Sequence, residues 1–267
     1  MIVKPTALSG LLLGKPLAIH PGYFQAAMAI DARGYDDADS GGCGYQVVDG
    51  VAVIPVLGTL VQNLGTVHSW GFVTGYDGIR INFLKALADP DVDAIVLNVN
   101  SGGGDCAGLF DLADMIYEAR SIKPSLAICS EVAYSAAYAL ASACEQVSVP
   151  RTGGTGSVGV IAAHTDYSRA YNKAGVEVTL IHYGARKADG AETEPLSGPA
   201  RLRYQTDVDF MGKLFGKTVA RNRGLSVKTV RDTQATTFLG AAGVEIGFAD
   251  AVMAPDEAFR SLLAELG

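Results

Sequence analysis

Ala94-Ile95-Val96-Leu97-Asn98-Val99-Asn100-Ser101-Gly102-Gly103-Gly104-Asp105 starts as a near-continuous apolar run and turns on three consecutive glycines. Beyond it, apolar residues fall at Leu109, Leu112, Ala113, Ile116 and Tyr117, the spacing of a helix face. The reading is a buried strand, a glycine turn and a helix. The same βα order returns from Leu126 to Ala143: Ser125-Leu126-Ala127-Ile128-Cys129 reads as a short buried strand, and Ala136 to Ala143 has helical propensity with almost no bulk. Two such units in succession imply a mostly parallel sheet with crossover helices, so the expected fold class is α/β.

Upstream, Gln46 to Val56 reads as a hairpin turning at Asp49-Gly50. Leu57 to Tyr76 is rich in glycine and polar residues, with Trp70 and Phe72, and is expected to be a loop. Tyr76 to Ala88 has helical spacing and ends at Asp89-Pro90. Downstream come a strand at Val147–Val149, a glycine-rich run from Gly153 to Ile161, a helix over Tyr167–Ala174 and a strand over Val176–Tyr183. A polar turn-rich segment, Gly184–Pro199, precedes a long helix over Ala200–Asn222 and a short final helix. Residues 1–44 are irregular and carry Pro5, Pro16 and Pro21. They also hold the Gly-rich acidic stretch Asp36 to Gly42, so they are expected to be an N-terminal arm and linker. Leu17, Ile19, Tyr23 and Phe24 suit an arm that docks on the body or on a second subunit. Residues 45–267 are expected to form one domain.

With 267 residues and 49% hydrophobic content, the chain can bury a large core. A net charge of −7 without a basic block argues against nucleic acid or an anionic membrane as partner. Leu8 to Gly14 is too short to span a bilayer, and no signal-peptidase site follows it, so neither secretion nor a membrane anchor is expected. Cys43, Cys106, Cys129 and Cys144 make no CxxC pair, which fits reduced thiols in a cytosolic compartment. No HExxH, Cys/His cluster or EF-hand pattern occurs, and neither a metal nor a cofactor is expected.

Three features carry chemistry. Ser135 stands where a strand gives way to a small-residue helix, exposed to unpaired N–H groups and the positive end of the dipole. It is a nucleophile or simply an N-cap. Gly102 to Gly104 let backbone approach a substrate and offer N–H groups to an oxygen, or make a plain tight turn; the spacing is not that of a phosphate-binding loop. A serine nucleophile needs a base, and His20, His68, His164 and His182 occupy no triad setting, with His164 and His182 the better placed. A lysine neutralised in a dry pocket serves equally, and Lys187, in Gly184-Ala185-Arg186-Lys187-Ala188-Asp189-Gly190, is the best placed candidate or else a solvated loop lysine.

Together these segments resemble the S49 family of serine peptidases, the signal peptide peptidase A type with a ClpP/crotonase-like fold, over about Val51 to Val252. Asn100 to Gly104 matches the family's N-S-P-G-G turn and Ser130 to Tyr138 its nucleophile segment. Thr155-Gly156-Ser157-Val158-Gly159-Val160 matches its T-G-S-I-G-V segment, and Phe238 to Asp250 its closing T-G-x-x-A-x-x-x-G-L-V-D. The resemblance implies that Ser135 is the nucleophile and Lys187 the general base, with Ser157 hydrogen-bonding the lysine. It implies oxyanion donors at Gly103 or Gly104 and at Ala136. Gly102 departs from the family's proline.

Lys187 to Gly190 followed by Glu194-Pro195-Leu196-Ser197 is similar to the base-containing loop of the bacteriophage head-maturation branch, of the lambda protein C type. That branch implies a homo-oligomeric protease in a procapsid in the bacterial host cytosol, acting on scaffold, portal or capsid protein. Its members often carry a C-terminal scaffolding region; the sequence stops at Gly267, so the expectation is either that the scaffold is a separate product or that this is a fragment. Other readings of the same residues are a soluble cellular signal-peptide-peptidase-like protease, a crotonase-type acyl-CoA enzyme and a non-catalytic capsid-assembly protein.

Overall fold

The computed structural model describes residues 12–29, 44–65 and 72–267. The linker stretch Asp36 to Gly42, Cys43, His68 and Trp70 lie outside the described residues. The arm contributes β1 (Leu17–Ile19) and α1 (Pro21–Ala29). There follow β2 (Gln46–Val48), β3 (Val51–Val61), β4 (Val73–Gly75), α2 (Tyr76–Ala88), β5 (Ala94–Asp105), α3 (Leu109–Ala119), β6 (Ser125–Tyr134) and α4 (Ala136–Ala143). The C-terminal part holds β7 (Gln146–Val149), β8 (Gly154–Gly156), α5 (Ser168–Lys173), α6 (Gly198–Arg223), α7 (Val227–Asp232), β9 (Thr237–Leu239), α8 (Ala241–Glu245), β10 (Ala251–Val252) and α9 (Pro255–Leu266). The strands run in the order β10-β7-β6-β5-β3-β2, parallel from β10 to β3, with β2 antiparallel at the edge. The α/β class with a mostly parallel sheet and crossover helices is therefore as expected.

The apolar runs that mark the central strands are explained by burial on both faces. Side chains alternate across a strand, so Ile95, Leu97 and Val99 of β5 enter one core with α2, α3 and α4, whereas Ala94 and Val96 enter another against Ala258 and Leu262 of α9. In β6, Ala127 and Cys129 take the first side and Leu126 and Ile128 the second. Every residue of α4 is buried, and its alanines leave room for strands and helices to close in on all sides. Tyr138, its one large ring, donates its hydroxyl to Phe248 O at 2.9 Å. Arg120 holds the other end of α4, donating to Ser142 O and Ala143 O at 2.7 Å each and to Cys144 O, where the last carbonyls of a helix lack partners.

Three segments differ from expectation, the first being the arm, read as irregular, where residues 17–19 are strand and residues 21–29 helix. Residues 57–61 and 73–75 are strand rather than loop: β3 continues to Val61, and β4 pairs with it in parallel from Thr59↔Val73. Gly58 (φ +66°) marks a register shift in β3, since a Cβ there would lie 2.0 Å from Phe72 O; the glycine permits a bulge, not a loop. Residues 176–183, expected to be a strand, pair with no strand among the described residues and are exposed throughout.

Because α4 is enclosed on every side, Ala139→Leu is expected to lower stability by about 1–3 kcal/mol through overpacking. A urea unfolding midpoint equal to the parent's would show that the space around Ala139 is not filled.

Candidate active site

β5 and β6 run in register from Ile95↔Ser125 to Val99↔Cys129, shift, and make a last pairing at Ser101↔Ala133. Beyond that point they part. The glycines of β5 stay with β3 (Thr59↔Gly103, Leu60↔Gly104), while β6 turns to β8 (Val132↔Gly154 to Tyr134↔Gly156). The gap opens at the carboxyl ends of parallel strands, where open α/β sheets bind their ligands.

Ser135 comes directly off β6 at that gap and begins α4. Its backbone stands at φ 54°, ψ −120°, a region that costs a non-glycine residue about 1–3 kcal/mol and is concentrated at functional sites. The conformation is held by Ser135 N–H donating to Gly156 O at 2.8 Å and by Ala139 N–H donating back to Ser135 O at 3.0 Å. The side chain is used for no cap; Oγ points to Gly159 O at 3.4 Å and is wholly buried. A residue serving only as an N-cap accepts from the first turn with its hydroxyl, so the plain cap reading does not account for Ser135.

Gly103 (φ +99°) faces the serine. A Cβ built on it would stand 2.3 Å from Ala18 O, 2.9 Å from Ala136 N and 3.0 Å from Ser135 Cβ. A Cβ on Gly104 would meet Leu60 O at 1.8 Å. Glycine at both positions is thus a matter of space, and the turn, Ser135 and Ala136 lie close together. The sequence reading missed Ser101. Its buried Oγ donates to Gly58 O at 2.6 Å and accepts from Gly103 N–H at 3.1 Å, tying the glycine turn to the bulge in β3. The signal available was a hydroxyl beside glycines, where backbone needs a local partner.

The other two candidates are placed differently from one another. Ser157 is buried at φ 55°, with its N–H on Thr236 O at 3.0 Å, in the turn whose Gly156 and Gly159 carbonyls hold Ser135. Lys187 lies in a chain of turns, its N–H on Gly184 O at 3.1 Å and its side chain exposed. Among the described residues, no hydrogen bond or ion pair joins Lys187 to Ser135 or Ser157. Of the described histidines, His20 is the one beside the site: its N–H donates to Gly102 O at 2.8 Å and its ring stacks on Tyr134 at 5.1 Å. His164 and His182 instead bond to Ala191 O and Gly184 O.

The three described cysteines offer no rival nucleophile. Burial pushes the Cys129, Cys144 and Cys106 thiols up to about 12, with Asp105 adding to the effect at Cys106. A thiol so placed stays protonated and unreactive at neutral pH.

Residues 118–267 match the family described as Peptidase family S49. The fold and the serine–glycine site thus stand in a chain that belongs to peptidase family S49. It is 42% identical over 222 residues to head-tail preconnector protein GP5 of Enterobacteria phage P21, and 39% identical over 226 residues to capsid assembly protease C of Escherichia phage lambda. These alignments take in 83% and 85% of this chain, and 44% and 52% of the relatives. The chain spans about half the length of the curated relatives it matches. Among solved structures it is similar to a ClpP1 mutant from Listeria monocytogenes, with a TM-score of 0.46 at 11% identity, covering 75% of this chain and 90% of the other.

Glycine ordinarily destabilises by about 0.5–1 kcal/mol relative to alanine. At the positive φ of Ser135 the order is expected to reverse, with Ser135→Gly more stable than Ser135→Ala. Urea denaturation of the two variants checks this, and the ordinary order would show that the backbone at 135 is relaxed.

Proposed function

We propose that the chain is a serine endopeptidase in which Ser135 and Lys187 form a Ser/Lys dyad. The observation that carries this reading is Ser135 itself: a buried hydroxyl on a strained backbone, at the N-terminus of a helix, with Gly103 close against it. Neutral Lys187 Nζ takes the Oγ proton as Oγ attacks a peptide carbonyl carbon. The resulting oxyanion is met by Ala136 N–H and by an N–H of the glycine turn. Gly104 or Gly103 supplies the second donor; Gly103 must leave Ser101 Oγ to do so. The lysine ammonium then protonates the leaving amine, and water hydrolyses the acyl-enzyme. Ser157 acts as the partner that orients the lysine.

A lysine is a base only where a dry pocket strips its charge. In the single chain Lys187 stands in solvent, at the end of a segment that also exposes Ile181 and Tyr183 almost completely. Large apolar side chains in water mark contact surfaces. We therefore read 176–187 as a subunit contact of a homo-oligomer, within which Lys187 reaches a serine. Similarity to a head-tail preconnector and a capsid assembly protease supports scaffold, portal or capsid protein as substrate, in a procapsid within the host cytosol. Among the described residues, no helix is long and apolar enough to cross a membrane.

Co-expression with phage scaffold, portal and capsid proteins, with mass spectrometry of the new termini, tests this. Wild type is expected to generate defined ends, and Ser135→Ala and Lys187→Ala each to reduce them by more than about 1000-fold while the oligomer persists. Cleavage by Lys187→Ala at the parent rate would overturn the dyad.

A further inference from the structure

The parted ends of β5 and β6 do not leave an empty gap. β1 lies in it, antiparallel to β5, with Leu17↔Asp105, Ala18↔Gly104 and Ile19↔Gly103 in register. On its other edge Leu17 N–H donates to Ile161 O at 2.8 Å and Leu17 O accepts from Ile161 N–H at 2.9 Å. A segment of the arm is thus bonded on both sides between the two walls of the site. Its Ala18 carbonyl oxygen stands beside Gly103, at the same point that Ala136 N and Ser135 Cβ approach. An extended peptide recognised through its main chain takes this kind of place.

We propose that residues 15–20 are a self-inhibitory strand. They occupy the slot that receives an extended peptide substrate, and they must leave before Ser135 can act. This role presupposes the peptidase reading of Ser135. Because Ala18 itself is fully buried, the substrate residue whose carbonyl comes to Ser135 is expected to be small.

Three further observations fit an occupant rather than a fixed wall. Ser135 has no exposure to solvent while the arm is in place. The arm is fastened by contacts at its edges: Lys15 Nζ pairs with Asp105 Oδ1 at 2.6 Å, and Tyr23 packs edge-on to His20 and Tyr134. Lys15 and Tyr23 are each more than a third exposed, so both fastenings are open to competition. Finally, a Cβ on Gly102 would lie 2.1 Å from Tyr23 Cγ. Glycine in place of the proline of the N-S-P-G-G turn is what lets the arm close over the site, and it explains that departure.

The test compares the full chain with Lys15→Glu/Tyr23→Ala, both substitutions at partly exposed positions. A fluorophosphonate probe is expected to label the double variant at least tenfold faster than the parent, and excess synthetic peptide of residues 14–24 to slow that labelling again. Equal labelling rates in parent and variant would overturn the proposal. If no form is labelled, the nucleophile reading fails, and binding of the fluorescein-tagged peptide in a Ser135→Ala background decides the strand's role separately. Peptide binding to the loosened form but not to the intact arm supports it; binding to neither overturns it.

Discussion

The site rests on how closely three stretches of backbone approach one another. At Gly103 there is no room for a methyl group: the Ala18 carbonyl, the Ala136 amide and Ser135 Cβ all converge on the place where one would stand. That crowding is possible because each neighbour is itself small or free of a side chain at the contact. Gly102 to Gly104 supply the strand side, and α4, with its alanines, supplies the helix side. The Ser135 hydroxyl set there points to the Gly159 carbonyl at 3.4 Å.

The sheet makes that convergence by parting. As long as β5 and β6 stay in register they are buried core; after the shift past Val99, one goes on with β3 and the other with β8. Ser101 stitches the first branch, and the Gly156 and Gly159 carbonyls hold the second. Arg120 fixes α4 from its far end, so the helix cannot slide away from the turn. The arm then closes the gap as a strand of its own. Leu17, Ala18 and Ile19 add buried apolar surface there, and the Ala18 carbonyl stands beside Gly103.

Much of this was legible in the sequence because it is local. Apolar runs at 94–99 and 125–129, glycines after the first and alanines after the second were enough for a parallel α/β sheet, and they marked Ser135 and the glycine turn as candidates without choosing between nucleophile and cap. What was not legible depends on partners far along the chain. Gly58 suggested a loop, yet Phe72 made it a bulge. Val176 to Tyr183 alternates like a strand, but alternation alone does not provide a neighbouring strand. Leu17 to Ile19 read as an arm with apolar anchors; only their register with Gly103 to Asp105 shows that they lie in the site. His20 was passed over for the same reason. The role given to Lys187 came mainly from resemblance, and its side chain is exposed in the single chain.

The central claim is that the crowded hydroxyl of Ser135 is a nucleophile. The most direct measurement is peptide mapping by mass spectrometry after prolonged treatment of the arm-loosened protein with a fluorophosphonate. The account predicts one stoichiometric adduct, on the peptide containing Ser135. An adduct at any other serine instead, or none on the folded protein, would contradict it.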